Sequence, residues 1–244
     1  MTLLSLSFAL AAGEPEFERA NTALAAGDLA SAEAGYRDAL AAGAVDADVY
    51  YNLGNVLYRR AEVPLAITAW RRSLALAPRD PDAAANLAFA RRTVADDVVM
   101  PDPAPDWAPW QGALTADEAL AAGGLLVGFG LLAAASRRRV PALPAPAIGA
   151  VAACVGLVLA AGGAAEAGLP AGAVVLADTL PLHSDLGGGV VLLTLHAGAE
   201  LAVAEETNDR LLLVLPDGRK GWAAAGAVAR IDPGAALPES SSPR

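Results

Sequence analysis

The side chains best suited to catalysis are few and poorly arranged. His183, Ser184 and Asp185 are consecutive and supply the residue types of a nucleophilic triad. A triad is defined by spatial roles, and three neighbours on one loop seldom reach that geometry. The chain has no GxSxG elbow, no P-loop and no HExxH motif to position a nucleophile, a phosphate or a zinc ion. We therefore predict that the protein is not an enzyme and has no catalytic residue.

Metal and thiol chemistry have equally little support. Cys154 is the single cysteine, which excludes an intramolecular disulfide. Together with His183 and His196 it is too little for a Cys/His structural zinc site. Cys154 also lies in an apolar run, where a thiolate is poorly stabilised. The sequence predicts no metal and no cofactor.

A repeat of 34 residues organises the N-terminal region. The pattern is Tyr50-x-x-Leu53-Gly54-x-x-Leu57, then Ala66-x-x-x-Trp70, then Pro78. Spacing of this kind resembles the tetratricopeptide (TPR) repeat. Subtracting 34 places Ala20 at the position of Gly54 and Tyr36 at that of Trp70. We predict about two and a half repeats over residues 13–95, because such units must stack on neighbours to bury their apolar faces.

A TPR array presents a concave surface lined by the first helix of each pair, and polar residues fall at those positions. Amides and arginines in such a groove could hold a peptide backbone or a carboxylate. The alternative is that they are solvated residues with roles only between helices. The predicted peptide-binding groove consists of Asn21, Tyr51, Asn55, Tyr58, Arg59, Arg91 and Arg92.

Two long uncharged runs follow the repeats, and each is long enough to span a bilayer. We predict transmembrane helices over residues 119–135 and 145–165, with buried core helices as the alternative. The intervening loop, residues 136–144, contains Arg137, Arg138 and Arg139. The positive-inside rule predicts that this loop lies in the cytoplasm. There the three arginines would set the membrane topology by their attraction to anionic lipid. A GxxxG at Gly124 and Gly128 could allow close helix approach.

This topology requires export of the N-terminal region. Residues 1–12 have a short apolar core and are predicted to be a signal peptide, with a misplaced start site as the alternative. Residues 96–118 are predicted to be a Pro-rich linker whose tryptophans meet the membrane surface. The predicted location is therefore the bacterial inner membrane, in two passes, with both terminal modules periplasmic.

The C-terminal region changes to the short Val- and Leu-rich segments typical of strands, separated by turn residues. Five strands are predicted within residues 171–231, closing a small barrel that resembles a bacterial SH3 domain, with residues 232–244 as a disordered tail. The string Pro216-Asp217-Gly218-Arg219-Lys220-Gly221-Trp222 is its most specific part. A binding surface is predicted near His183, Asp185 and Trp222. The alternative is that Trp222 is a core residue and the histidines are exposed.

The charge composition of the chain argues against nucleic acid as a partner. The chain has 244 residues, 27 acidic and 17 basic, for a net charge of -10. Without a basic stripe the protein lacks the electrostatic basis of nucleic-acid binding.

The order of these segments gives a multidomain fold class: an all-α TPR helical repeat, a two-helix transmembrane hairpin and a small all-β SH3-like barrel. That order is similar to the BatE-type proteins of bacterial Bat (aerotolerance-related) operons. The resemblance implies a non-enzymatic membrane-anchored scaffold for protein–protein interactions in the cell envelope. Its partners would include von Willebrand factor A domain membrane proteins and a MoxR-type ATPase. The alternative is a cell-wall sensing or targeting protein whose SH3-like domain binds peptidoglycan.

Overall fold

The computed structural model describes residues 13–96, 98, 114, 116–136, 145–167, 172–207 and 209–239. The chain divides into two compact units. The first combines Met1–Pro101 with Pro170–Arg244, so the described N-terminal and C-terminal regions form one body. The second is Asp102–Leu169.

Within residues 13–96, five helices make up the N-terminal part of the first unit, and consecutive helices pack against each other. Aspartates begin three of them because a carboxylate can accept the unpaired N–H groups of the first turn. The Asp28 side chain accepts from the Ser31 N–H, and the Asp80 side chain accepts from the Ala83 N–H. The helices are α1 Glu14–Ala25, α2 Leu29–Ala41, α3 Ala47–Arg59, α4 Val63–Leu76 and α5 Pro81–Arg91.

The turn between helices recurs at the 34-residue offset. Gly27 follows α1 with φ 79°, and Ala61 follows α3 with φ 63°. In both turns the next residue donates its N–H to a carbonyl five residues back, from Asp28 to Ala23 and from Glu62 to Leu57. This left-handed cap satisfies carbonyls at the helix end.

Small residues let the helices of a pair approach. An ideal Cβ on Gly54 of α3 would lie 2.6 Å from Nε1 of Trp70 on α4, and one on Gly35 of α2 would lie 2.9 Å from the Cβ of Ala20 on α1. Tyr36 and Trp70 are buried beside these contacts. The aromatic rings therefore occupy space that a larger neighbour would close.

The C-terminal part of the first unit is a seven-stranded antiparallel sheet in the order β3-β2-β6-β5-β4-β1-β7. Five strands were predicted, and the structure adds β2 and β7. β3 and β7 are the sheet edges, and SH3-like closure stays a prediction. The strands are β1 Gly172–Val175, β2 Thr179–His183, β3 Val191–His196, β4 Glu200–Glu206, β5 Arg210–Val214, β6 Lys220–Ala224 and β7 Val228–Arg230.

A buried ion cluster joins the helices to the sheet. Glu200 at the start of β4 is fully buried. Its carboxylate accepts from Arg91 of α5, with Nε–Oε1 at 2.6 Å and Nη2–Oε2 at 2.9 Å. The Nε of Arg71 on α4 lies 3.1 Å from Oε2. A buried carboxylate is stable only with such partners, so the two parts of the unit depend on each other.

A buried arginine holds the end of the chain. Arg72 of α4 donates to the carbonyl of Arg230 at 2.7 Å and to that of Ala235 at 2.7 Å. The backbone N–H of Gly234 donates to the Tyr50 hydroxyl at 2.9 Å. Burial lowers the pKa of Arg72. Residues 232–237, which the sequence assigned to a disordered tail, are thus bonded along the helices in this structure.

Among the residues described in the second unit are two helices, α6 Ala116–Ser136 and α7 Ala145–Ala167, which pack closely. A glycine pair lies at one close approach of their backbones. A Cβ on Gly123 would lie 2.5 Å from the Gly156 carbonyl oxygen, and a Cβ on Gly156 would lie 2.6 Å from that of Gly123. The GxxxG residues Gly124 and Gly128 have open space where a Cβ would project. The GxxxG is therefore not the contact between these two helices.

The membrane predictions are wrong on this structure. Within the described ranges, no helix combines the length and the apolar character that crossing a bilayer needs. This finding corrects both the predicted two-helix transmembrane hairpin and the predicted two-pass inner-membrane location. The physical reason is composition, because α6 and α7 are rich in alanine and glycine, which bury far less apolar surface than leucine. In addition, α6 carries Asp117 and Glu118 in its first turn.

Candidate peptide-binding site

Two amide pairs run along the first helices of the array. Nδ2 of Asn52 on α3 donates to Oδ1 of Asn21 on α1 at 3.4 Å. Nδ2 of Asn86 on α5 donates to Oδ1 of Asn55 on α3 at 2.9 Å. Each pair joins residues 31 apart, and the 34-residue offset relates one pair to the other. All four side chains are half-buried, so the pairs form a polar wall that still meets solvent.

The Asn21 amide accepts a hydrogen bond from a buried tyrosine of the neighbouring helix. The Tyr36 hydroxyl on α2 donates to Oδ1 of Asn21 at 2.7 Å. Burial raises the pKa of Tyr36 to about 12, because the phenolate would be formed away from water. A neutral phenol therefore orients Asn21.

An aromatic surface continues from the second amide pair. The rings of Tyr58 on α3 and Phe89 on α5 meet edge to face, with centroids 5.9 Å apart. Tyr58 also contacts Trp70, at 5.7 Å between centroids. The Phe89 side chain is 51% exposed, although a phenyl ring is usually buried. The Arg92 guanidinium lies 5.1 Å from its centroid. We call this group, Asn55, Tyr58, Asn86, Phe89 and Arg92, the α3–α5 face.

The structure brings together most of the predicted groove and removes one member. Asn55, Tyr58 and Arg92 belong to the α3–α5 face, and Arg59 lies one turn beyond Asn55 on the same side of α3. Arg91 does not face the groove, because its guanidinium is bound to buried Glu200.

The other two predicted groove residues lie outside the α3–α5 face. Asn21, on α1, forms the first amide pair, and Tyr51, on α3, is half-buried and directly precedes Asn52.

Three residues of this site were not predicted from the sequence: Asn52, Asn86 and Phe89. A signal for the amides existed, because Asn52 and Asn86 are themselves 34 residues apart. Phe89 gave no signal, since an isolated phenylalanine in an alanine-rich helix is normally a core residue.

The residues predicted to form a binding surface on the sheet lie near one another, and Trp222 does not lie on the core face as the alternative expected. Trp222 is half-buried between two buried neighbours on β6, so its ring projects from the face opposite the core. His183 lies directly across from it on β2, and Leu212 across from it on β5. Residues in register share a face of a sheet. The three side chains therefore form one partly exposed row.

Asp185 organises the loop next to that row. Its carboxylate accepts from the Ser184 hydroxyl at 3.0 Å and from the Gly187 and Gly189 N–H groups at 2.9 and 3.2 Å. The Ser184 hydrogen bond, followed by that of Gly189, lowers the pKa of Asp185. His183 Nδ1 lies 3.2 Å from the Gly189 carbonyl oxygen. The consecutive His-Ser-Asp residues thus build a turn, with no hydrogen bond between His183 and Asp185 or Ser184 in the described loop.

Other predicted chemistry has no described site. Arg137, Arg138 and Arg139, assigned to topology, lie outside the described residues, as do residues 1–12 and both linker tryptophans. In the part of the chain that the structure describes, no group of three or more His, Cys, Asp and Glu side chains could hold a metal ion.

Comparison with known proteins adds no assignment. No protein-family model matches the chain, and neither the curated proteins nor the solved structures give a significant match.

Proposed function

We propose that this protein is a non-enzymatic scaffold that binds an extended peptide segment of a partner protein on the first helices of its array. The observation that carries the proposal is the repeated amide pair, Asn21 with Asn52 and Asn55 with Asn86. The Oδ1 atoms of Asn21 and Asn55 accept from the neighbouring amide, and the Nδ2 groups of these two residues are the donors that we propose for a peptide carbonyl. Two amide pairs that lie about one repeat apart could bind carbonyl groups at regular intervals along an extended peptide.

The sheet supports this function indirectly. A helical array needs a cap over its last helix, because that helix has no further repeat to cover it. α4 packs on β1 and β7, and Arg91 of α5 binds Glu200. We infer that the sheet caps the array and so leaves the first-helix surface open for a ligand. TPR-like membership and assembly with Bat-type partners remain part of this proposal.

The test is selection of peptides from a random library displayed on phage, using the full chain as bait. We expect enriched peptides to lose about tenfold or more in affinity, about 1.4 kcal/mol, in the variant Asn55→Ala/Asn86→Ala. Asp38→Ala, an exposed change on α2, is the matched control and should bind normally. Absence of enriched peptides, or equal binding by the double variant, would show that the groove has no such role.

A second candidate surface is the hairpin between β2 and β3. Four large apolar side chains are exposed there beside the row of His183 and Trp222: Leu186, Val190, Val191 and Leu192. Exposed apolar side chains in a cluster mark an interaction surface. Sedimentation of the full chain with purified peptidoglycan tests the cell-wall alternative. Retention lost on Trp222→Ala and kept with Asn55→Ala/Asn86→Ala would favour that function over the peptide groove.

A further inference from the structure

We infer that the α3–α5 face selects an anionic ligand: a peptide segment that presents a carboxylate beside an apolar or aromatic side chain. This inference rests on the proposed peptide-binding function and adds to it the chemistry of the partner. Its basis is two exposed arginines: Arg92, whose guanidinium lies 5.1 Å from the centroid of the exposed Phe89 ring, and Arg59, which follows Tyr58 at the end of α3.

Unpaired positive charge favours an anionic ligand. The chain carries a net charge of -10, and among the described residues seven other arginines form ion pairs with carboxylates: Arg19, Arg37, Arg60, Arg71, Arg91, Arg219 and Arg230. Arg59 and Arg92 are exposed and have no carboxylate within ion-pair distance among the described residues. Their neighbours Arg60 and Arg91 are both paired with buried or half-buried glutamates. Uncompensated arginines in an acidic protein are complementary to an anion.

An exposed aromatic ring lies next to the Arg92 charge. Phe89 is 51% exposed, and its ring is held by Tyr58 on one side and by the Arg92 guanidinium on the other. An aromatic ring fixed in this way is a rigid contact for an apolar side chain. The Arg92 fork remains exposed and can form two hydrogen bonds to a carboxylate.

Helices α3 and α5 carry their acidic and basic residues at opposite ends. The acidic residues of α3 and α5, Asp48 and Asp82, lie at the N-terminal ends of these helices, and Arg59 and Arg92 lie at the C-terminal ends. Eleven residues of helix separate Asp48 from Arg59, which is about 16 Å at 1.5 Å per residue. This exceeds the Debye length of about 8 Å at physiological ionic strength, so the acids do not neutralise the arginines. The ligand carboxylate should therefore lie at the Arg59 and Arg92 end.

The experiment compares four synthetic peptides with blocked ends and an identical Gly-Ser host. Their central pairs are Asp-Phe, Asn-Phe, Lys-Phe and Asp-Ser, and binding to the full chain is followed by fluorescence anisotropy. We expect Asp-Phe to bind at least about tenfold more tightly than each of the others, because hydrogen bonds to a charged group are the stronger ones. Raising salt from about 0.1 M to about 1 M should reduce this preference.

Two variants test the contribution of the arginine charges and that of the Phe89 ring separately. Arg59→Gln/Arg92→Gln should make Asp-Phe and Asn-Phe bind equally, and Phe89→Ser should make Asp-Phe and Asp-Ser bind equally. Arg19→Gln, an exposed arginine paired with Glu16, is the control and should keep both preferences. Circular dichroism of each variant checks the fold.

The outcomes distinguish this inference from the proposed function. Equal binding of all four peptides by the native chain, or a preference that survives Arg59→Gln/Arg92→Gln, overturns the anionic selectivity and leaves a general peptide groove. Binding by none of the four, while library-selected peptides bind, also overturns the selectivity. If library-selected peptides fail as well, the peptide-binding function itself fails.

Discussion

Glu200 on β4 and Arg91 on α5 form a two-pronged ion pair, 109 residues apart in sequence, with its carboxylate fully buried. Arg71 adds a second cation to the same carboxylate at 3.1 Å. The pair connects the helical array to the sheet, and it removes Arg91 from the groove that the sequence had assigned to it.

Removing the charge of Glu200 should destabilise the whole first unit. Glu200→Gln leaves two guanidinium groups facing a neutral amide at a fully buried position, so we expect a loss of about 3–5 kcal/mol in the free energy of unfolding. Chemical denaturation followed by circular dichroism measures it. Glu205→Gln, an exposed change on the same strand, should cost almost nothing. A Glu200→Gln variant as stable as Glu205→Gln would mean that the buried pair does not hold the array to the sheet.

Relieving the left-handed turn after α3 should stabilise the array. Ala61 has φ 63°, where a Cβ is disfavoured by about 1 kcal/mol, whereas its repeat equivalent Gly27 has φ 79° without that cost. Ala61→Gly should therefore raise the free energy of unfolding by up to about 1 kcal/mol, and Gly27→Ala should lower it by a similar amount. Urea denaturation of both variants provides the measurement. Two changes of the same sign would contradict the assigned backbone conformation.

Neighbouring glycines in α6 should respond oppositely to alanine. Gly123→Ala places a Cβ against the Gly156 backbone, and overpacking of this kind costs about 1–3 kcal/mol. Gly124→Ala enters open space and should stabilise the helix by about 1 kcal/mol or less. Thermal unfolding of the full chain, with limited proteolysis to locate the change in α6 and α7, compares the two. Greater damage from Gly124→Ala would restore the GxxxG as the packing contact.

High pH should weaken the array through Tyr36. Its pKa is raised from 10.0 to about 12 by burial, so the folded state retains a proton that the unfolded chain loses first. The resulting stability is complete below about pH 10 and is lost as pH rises towards 12. Ultraviolet titration of tyrosinate should show one late-ionising group that disappears in Tyr36→Phe. The absence of a late step, or its persistence in Tyr36→Phe, would place the raised pKa elsewhere.

The local features of this fold were readable from the sequence because short-range spacing encodes them. Asp80 before Pro81 predicts a helix start, and the structure begins α5 at Pro81. The offset that aligns Gly54 with Ala20 also relates the turn at Gly27 to the turn at Ala61. Capping and repeat packing depend on residues a few positions or one repeat apart.

The partners and the burial of charged side chains could be decided only from the tertiary structure. Adjacent arginines illustrate this: Arg91 binds Glu200, whereas Arg92 lies over Phe89. Arg72, on α4, instead holds backbone carbonyls 158 and 163 residues away. The sequence pattern around a charged residue does not show whether its side chain is buried against a partner or exposed. The composition of residues 119–165 likewise suggested membrane spans, whereas the described helices fail that test.

The sequence by itself determined the helix starts, the 34-residue repeat, the strand-rich C-terminal region and the poverty of catalytic groups. Only the tertiary structure decided that the described N-terminal and C-terminal regions form one unit, that Arg91 is structural, and that Asn52, Asn86 and Phe89 belong to the candidate site. The physical reason is that helix caps and turns are satisfied by neighbouring residues, while burial of an ion pair or exposure of a ring depends on which distant element covers it.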